Sequence, residues 1–210
     1  MLTEYRAVVQ DGTGEIVEKK SRFIANVVTV TSEEEAVEQI EKLKKQYWDA
    51  RHNCWAYILG DDQPVERFSD DGEPSGTAGK PILEVIRGEN LRNVLIVVTR
   101  YFGGTLLGTG GLVRAYTSAS KEGIANSEIV TRMYGYRLEI KTDYTGLGKI
   151  QYILGQKGIA IVNSDYTDAV VLEVLVKKEQ EERLIAELTE GTNGQAAIER
   201  VEECWIDVKE

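Results

Sequence analysis

Residues 94–120 read VLIVVTRYFGGTLLGTGGLVRAYTSAS. The apolar run Val94 to Val98 is too short to span a membrane and is rich in β-branched side chains, so it reads as a buried strand. Arg100-Tyr101-Phe102 turn the chain, and five glycines follow within nine residues: Gly103, Gly104, Gly108, Gly110 and Gly111. From Leu112 the apolar positions Leu112, Ala115, Tyr116 and Ala119 share one helical face. Strand, glycine-rich loop and helix in this order gather backbone N–H groups and the positive end of a helix dipole around the loop, which suits an anion. Two known phosphate motifs do not fit. A P-loop needs a lysine after its last glycine, and none follows Gly108 or Gly110; the dinucleotide fingerprint meets Val113 where its third glycine belongs. Tight packing and left-handed turns account for the glycines equally well.

At 210 residues, 42% hydrophobic and 29% charged, the chain has the composition of a folded protein of one large or two small domains. A net charge of −10 argues against loose adhesion to nucleic acid or anionic membranes, though not against a local basic site. The start, MLTEYRAVVQDG, is short and mixed rather than a signal segment, and no run reaches membrane-spanning length. Cys54 and Cys204 lack metal spacing, and His52 is the single histidine. The expectation is a cytoplasmic, reduced protein with no metal site, no cofactor and no membrane association.

Residues 4–30 read as strands. KKSRF places Lys19, Lys20 and Arg22 together. Ser32-Glu33-Glu34-Glu35 is a capping box for a helix with the stripe Val37, Ile40, Leu43 and Tyr47. HNCWAYIL, residues 52–59, reads as a central strand. His52 and Cys54 share a face, but Cα atoms two apart on a strand lie about 6.5–7 Å apart, too far for a nucleophile–base pair. Residues 60–81 hold all three prolines and crowd Arg67, Ser69, Asp70, Asp71 and Glu73 together. Such a cluster can hold Mg²⁺ or a basic partner, but it lacks calcium-loop spacing. A helix starts at Ser75 or Thr77, takes Pro81 in its first turn and stops at Gly88. From Arg132 a second pattern begins. Strand Tyr134–Thr142 is followed by a helix capped by Thr145 and a strand Ile159–Val162. A turn at Asn163-Ser164-Asp165, a strand Ala169–Val176, a helix Glu179–Thr189 with a Glu179–Arg183 pair, and a last strand from Ala197 complete it. This is the ferredoxin-like βαββαβ plan, an antiparallel sheet with helices on one face. The expected class is α+β, with domains at 1–131 and 132–210. From 132 on, 10 basic face 15 acidic residues, and before it 15 face 20, so neither half is basic overall.

RYFGGTLLGTGGLVRAY, with RFSDDGEPSGTAGKPIL before it and HNCWAY earlier still, resembles the IMPACT/YigZ family over the whole chain. The resemblance implies a first domain with the left-handed βαβ fold of elongation factor G domain IV and a ribosomal protein. It implies a second domain similar to elongation factor G domain V. Eukaryotic members regulate translation by binding a large activator of an initiation-factor kinase, through an extra N-terminal domain that this chain is expected to lack. Bacterial members look like translation-linked or nucleic-acid-associated proteins. A peptidase label carried by some finds no metal cluster here to support it. His52, Arg67, Asp70, Asp71, Glu73, Arg100, Tyr101 and Arg114 fall on the matching segments and are expected to converge on one cleft, kept open by the five glycines.

Two functions follow. One is a binding module for RNA, a ribosome-associated factor or a translation-regulatory protein, with Arg100, Arg114, Lys20 and Arg22 on phosphate and Tyr101 or Phe102 stacked on a base. Sequence-specific DNA binding is not expected. The other is an enzyme or binder acting on a nucleotide or phosphorylated metabolite at the glycine loop, with Asp70, Asp71 or Glu73 on Mg²⁺.

Overall fold

The structure, a computed structural model, describes residues 2–209. Its internal contacts divide the chain between Thr131 and Arg132, the second unit spanning Arg132–Val208. The first unit contains β1 (Glu4–Gln10), β2 (Gly12–Glu18), β3 (Ser21–Thr29), α1 (Glu33–Gln46), β4 (His52–Leu59), β5 (Val65–Ser69), α2 (Gly79–Gly88), β6 (Val94–Tyr101) and α3 (Thr109–Ala125). Its sheet runs β2-β3-β6-β4-β5, with every neighbouring pair antiparallel.

The apolar run of β6 takes the middle of this sheet and is covered on both faces, which is why it is continuous rather than alternating. Val94, Ile96 and Val98 join Ala25, Val27, Cys54 and Ala56 in a core with α2 and α3. Leu95 and Val97 join Tyr57 and Leu59 in a second core against Ala36, Ile40 and Leu43 of α1. Odd and even positions of one strand therefore serve different helices.

This two-faced packing determines the hand of the crossovers. β3 and β4 are both antiparallel to β6, hence parallel to each other, and α1 joins them across it. By the same reasoning β5 and β6 are parallel, and α2 joins them across β4. The second crossover steps the opposite way along the sheet on strands that point the opposite way, and these two reversals cancel. Its helix lies on the other face, so the two crossovers have opposite hands. One of them is left-handed, against the strong right-handed default.

The second unit is built from β7 (Glu128–Thr142), α4 (Tyr144–Gln156), β8 (Ile161–Tyr166), β9 (Val170–Lys177), α5 (Lys178–Gly191) and β10 (Ala197–Lys209). The order β8-β9-β7-β10 is the ferredoxin-like sheet, with β9 antiparallel to both its neighbours. Val170, Leu172, Val174 and Val176 alternate inward against Ile150, Leu154, Leu184 and Leu188 of the helices. The chain is α+β throughout.

Several local expectations give way. Val65–Ser69 is an edge strand rather than loop, held by the ladder from Leu59 to Trp55. Val37 is exposed; the buried stripe of α1 is Ala36, Ile40 and Leu43. Ser32 accepts from Glu35 N, but the Glu35 carboxylate bonds Thr31 N, one residue earlier than a capping box requires. Asp143, not Thr145, caps α4 by accepting from Gly146 N at 2.8 Å. Asn163, Ser164 and Asp165 continue β8, because pairing with β9 overrides their turn propensity. Arg183 pairs with Glu187, which Lys157 at the end of α4 also holds, and not with Glu179.

α3 packs directly on the edge strand β2, and glycine makes this approach possible. A Cβ on Gly14 would stand 2.5 Å from Gly123 N of α3. Gly14→Ala is expected to destabilise the first unit by about 1–3 kcal/mol through overpacking, measured by chemical denaturation. An unchanged midpoint would refute the close fit.

Candidate functional site

Register sets the site. At one end of the sheet His52 and Phe23 flank Arg100 across β6, and Arg22 stands opposite Tyr101. Arg100 points to the α2/α3 face and is 6% exposed. Its Nη1 donates to Glu73 Oε1 at 2.7 Å, and Tyr116 Oη donates to the same oxygen at 2.8 Å. The guanidinium lies over the rings of Phe23 and Phe102, at 5.4 and 5.6 Å. Cys54 Sγ donates to the Asp70 carbonyl at 3.0 Å and lies 3.3 Å from Tyr116 Oη. Burial pushes the Tyr116 phenol and the Cys54 thiol far up, so both stay protonated near neutral pH. Neither is an activated nucleophile.

The three carboxylates of the acidic segment have three separate tasks. Asp70 caps α2 from a distance: Oδ1 accepts from Ala78 N at 3.0 Å and Gly79 N at 2.8 Å, and Oδ2 accepts from Gly76 N at 2.8 Å. A carboxylate at a helix N-terminus meets both the unpaired N–H groups and the dipole. Asp71 Oδ2 accepts from Asn53 N at 2.7 Å, its carbonyl lies 2.9 Å from His52 Nδ1, and Lys44 approaches Oδ1 at 3.6 Å. Glu73 is committed to Arg100 and Tyr116. They do not face one another as ligands of a common Mg²⁺.

The glycine loop has a docked end and an open end. A Cβ on Gly103 would fall 2.0 Å from Lys20 C, and Gly103 N donates to Ser21 Oγ at 3.1 Å. The loop thus leans on the two-residue turn between β2 and β3. That turn is Lys19-Lys20, with φ of 46° and 67°. Both lysines are left-handed, in a turn whose usual residues are Asn-Gly. Gly104 and Gly108, at φ 83° and 74°, have nothing near a would-be Cβ. Gly108 is the N-cap of α3, which has no side-chain cap and no acid in its first turn. Gly110 and Gly111 lie in that turn. Arg114 Nη1 is 3.6 Å from a Cβ built on Gly110, and Leu107 Cβ would be 3.0 Å from one on Gly111.

The eight polar residues do not share one cleft. His52, Asp70, Asp71, Glu73 and Arg100 meet on the α2/α3 side. Arg67 and Tyr101 stand on the opposite, α1 face, because strand parity separates them. Arg67 pairs across with Tyr57 and approaches Glu33 of α1 at 3.9 Å. Burial and the hydrogen bond to Glu33 push the Tyr57 phenol up to about 12. Arg114 is exposed at the start of α3.

Tyr101 instead organises a second cluster. Its hydroxyl donates to Asp49 Oδ1 at 2.8 Å, and Arg22 lies over its ring at 5.6 Å while Glu15 holds that arginine at 2.8 and 3.0 Å. Trp48, beside Asp49, is 82% exposed, and Phe102 is 51% exposed. Among the described residues Lys19, Lys20, Lys45 and Arg51 have no carboxylate within 4 Å. Sequence reasoning missed Trp48 and Asp49. One signal was present: a tryptophan outside the helical stripe, three residues past Lys45.

Residues 19–124 match a family model described as the Impact N-terminal domain, and residues 140–195 match a domain of unknown function. The chain is 41% identical over 207 residues to the IMPACT family member YvyE of Bacillus subtilis, covering 99% of this chain and 95% of that one. It is 36% identical over 187 residues to the IMPACT family member YigZ of Escherichia coli, covering 88% and 92%. A crystal structure described as a hypothetical protein is 33% identical with a TM-score of 0.61, over 96% of this chain and 99% of that one.

Glu73→Ala strands a buried guanidinium and is expected to cost about 3–5 kcal/mol; adding Arg100→Met should recover much of it. Denaturation of the three variants measures this, and additive losses would refute the coupling. The raised Cys54 thiol stabilises the fold below its ordinary titration range and stops doing so as alkaline pH forces ionisation. In a Cys204→Ser variant, a disulfide reagent at pH 8 should therefore release no thiol until denaturant is added. Rapid native reaction would contradict the burial of Cys54.

Proposed function

The chain belongs to the IMPACT family, and from that premise we propose that it is a cytoplasmic, translation-linked binding protein that engages RNA or a ribosome-associated partner through its first unit. Catalysis has no role in this reading. The observation that carries it is the sheet end that gathers Lys19, Lys20 and Arg22, half-buried Tyr101, and exposed Trp48 and Phe102. Cations that meet phosphates, interleaved with aromatic faces that accept bases, are the features of a surface for single-stranded nucleic acid. The strained lysine turn points the same way, since non-glycine residues are kept in left-handed backbone where the site has a use for them. The motif carboxylates support it indirectly: they are spent on a helix cap, a backbone amide and a buried ion pair. Among the described residues no helix is long and apolar enough to cross a membrane.

One observation favours a second reading, a nucleotide or phosphorylated metabolite at the glycine loop. The N-terminus of α3 has no side-chain cap and starts from Gly108, with Arg114 about one turn on. A thermal-shift titration with nucleotides, with and without Mg²⁺, tests it; no stabilisation at millimolar ligand excludes it.

The RNA reading is tested with single-stranded RNA oligomers across a salt series. Trp48→Ala should weaken binding about tenfold, in line with about 1–3 kcal/mol per stacked base. The double variant Lys19→Asn, Lys20→Gly removes two charges while giving the turn its preferred residues. It should raise stability and lower the salt slope by about 0.7 per lost phosphate contact. Binding that ignores both variants would defeat this reading, and a protein partner captured in a Trp48-dependent way would replace RNA with protein.

A further inference from the structure

A separate feature of the first unit lies on the outer side of the α2/α3 layer. The two helices leave a groove of about 570 Å³ between them, within the range of small-molecule sites. Pro81 and Val85 of α2 and Val113 of α3 line it, and Gly88 leaves it open, with nothing within 4 Å of a would-be Cβ. Along each helix the lining spans two turns or slightly more, about 12 Å. A second hollow of about 410 Å³ continues past Glu89 and Lys121 to Ile124 and Ile129.

The charges around this groove do not cancel. Glu84 is paired with Arg87 at 2.6 Å, and Glu89 with Arg6 at 2.6 Å. Lys80 and Lys121 also line the groove, and among the described residues neither has a carboxylate within 4 Å. Glu89 is thus held by Arg6, Glu84 shares Arg87 with Glu66, and the two ammonium groups flank the apolar lining beside them. In a chain of net charge −10 this is a local excess of positive charge over apolar surface. Apolar burial would hold a ligand's body here, and an exposed lysine at the rim would hold an anionic end.

We propose that this groove is a binding site for a small amphipathic carboxylate, its hydrocarbon body against Pro81, Val85 and Val113 and its carboxylate on Lys80 or Lys121. At about 1.2 Å per bond of extended chain, 12 Å accommodates a body of about ten bonds. The site is distinct from the sheet end proposed for RNA and does not rest on that reading.

Decanoate is the probe, titrated into the full ¹⁵N-labelled chain, with decanol and decylamine as neutral and cationic controls of the same length. Saturable shifts are expected at the amides of Gly88, Val113 and Thr117, with decanol and decylamine at least tenfold weaker. Lys80→Glu with Lys121→Glu should weaken decanoate at least tenfold, and Val113→Asp should abolish its binding. All three positions are exposed, and unchanged circular dichroism melts confirm that the variants fold. Trp48→Ala should leave decanoate binding unchanged, which separates this site from the RNA surface. No saturable shift, shifts centred elsewhere, equal binding of decylamine, or indifference to the lysine reversals would each overturn the assignment. Displacement by an acidic amphipathic peptide without any response to decanoate would overturn it in favour of a protein ligand.

Discussion

The buried ion pair between Arg100 and Glu73 holds the first unit's site together. Both groups are out of water, at 7% and 3% side-chain exposure, and two isolated charges in that position would be strongly disfavoured. Their attraction is supported by Tyr116, which donates to Glu73, and by the two phenylalanine rings around Arg100. The pair ties three parts of the chain that are far apart in sequence: the end of β6, the first half of α3, and the segment leading into α2. With Glu73 anchored, Asp70 is brought within reach of the amides of Gly76, Ala78 and Gly79, and α2 is capped without a capping residue of its own. The acidic segment is therefore a structural clasp. Its charges organise the fold, and they are unavailable for ligand chemistry.

The same clasp shapes what faces solvent. Arg100, the most deeply placed cation of the sheet end, is neutralised internally by Glu73, and Asp71 is tied to Asn53 N and approached by Lys44. The residues left over are those on the other parity of β3 and β6, Arg22 and Tyr101, together with the hairpin lysines. The turn carrying Lys19 and Lys20 is fixed on its inner side by Gly103, where no side chain fits. That contact gives the first glycine of the loop a reason that no phosphate motif supplies. The remaining glycines divide: Gly104 and Gly108 are needed for positive φ, and Gly111 clears Leu107.

Periodicity made most of the elements legible: the buried strand of β6, the helices α1 and α3, and the whole βαββαβ order of the second unit. The left-handed crossover was not legible from pattern. It came from the family resemblance, and the structure supplies its reason in the opposite faces of α1 and α2. The acidic segment misled because composition reports which groups are present and not which are already paired. Asp70 looked like a ligand and is a cap nine residues ahead of its helix. Arg67 and Tyr101 looked like members of a single cleft because they share motifs with its residues. Motif membership ignores strand parity, and parity put them behind the sheet. Trp48 was passed over because an exposed aromatic residue lies off the apolar periodicity, and its place outside the stripe of α1 was the only cue.

Net charge needs the same local treatment. A field of −10 should repel a polyanion, yet it acts through water and salt with a screening length of about 8 Å at physiological ionic strength. At the sheet end the balance is different: Glu15 is paired with Arg22, Lys44 approaches Asp71, and Asp49 accepts from Tyr101. Each of these acids has a partner at short range, while among the described residues Lys19, Lys20, Lys45 and Arg51 have no carboxylate within 4 Å. The global charge then acts on approach and the local charge acts in contact. Salt weakens both, so added salt lowers the barrier to encounter as it loosens the contacts. A bound polyanion would therefore show a salt slope smaller than its phosphate contacts alone imply, and the aromatic faces of Trp48 and Phe102, which salt does not screen, would carry a larger share of the affinity.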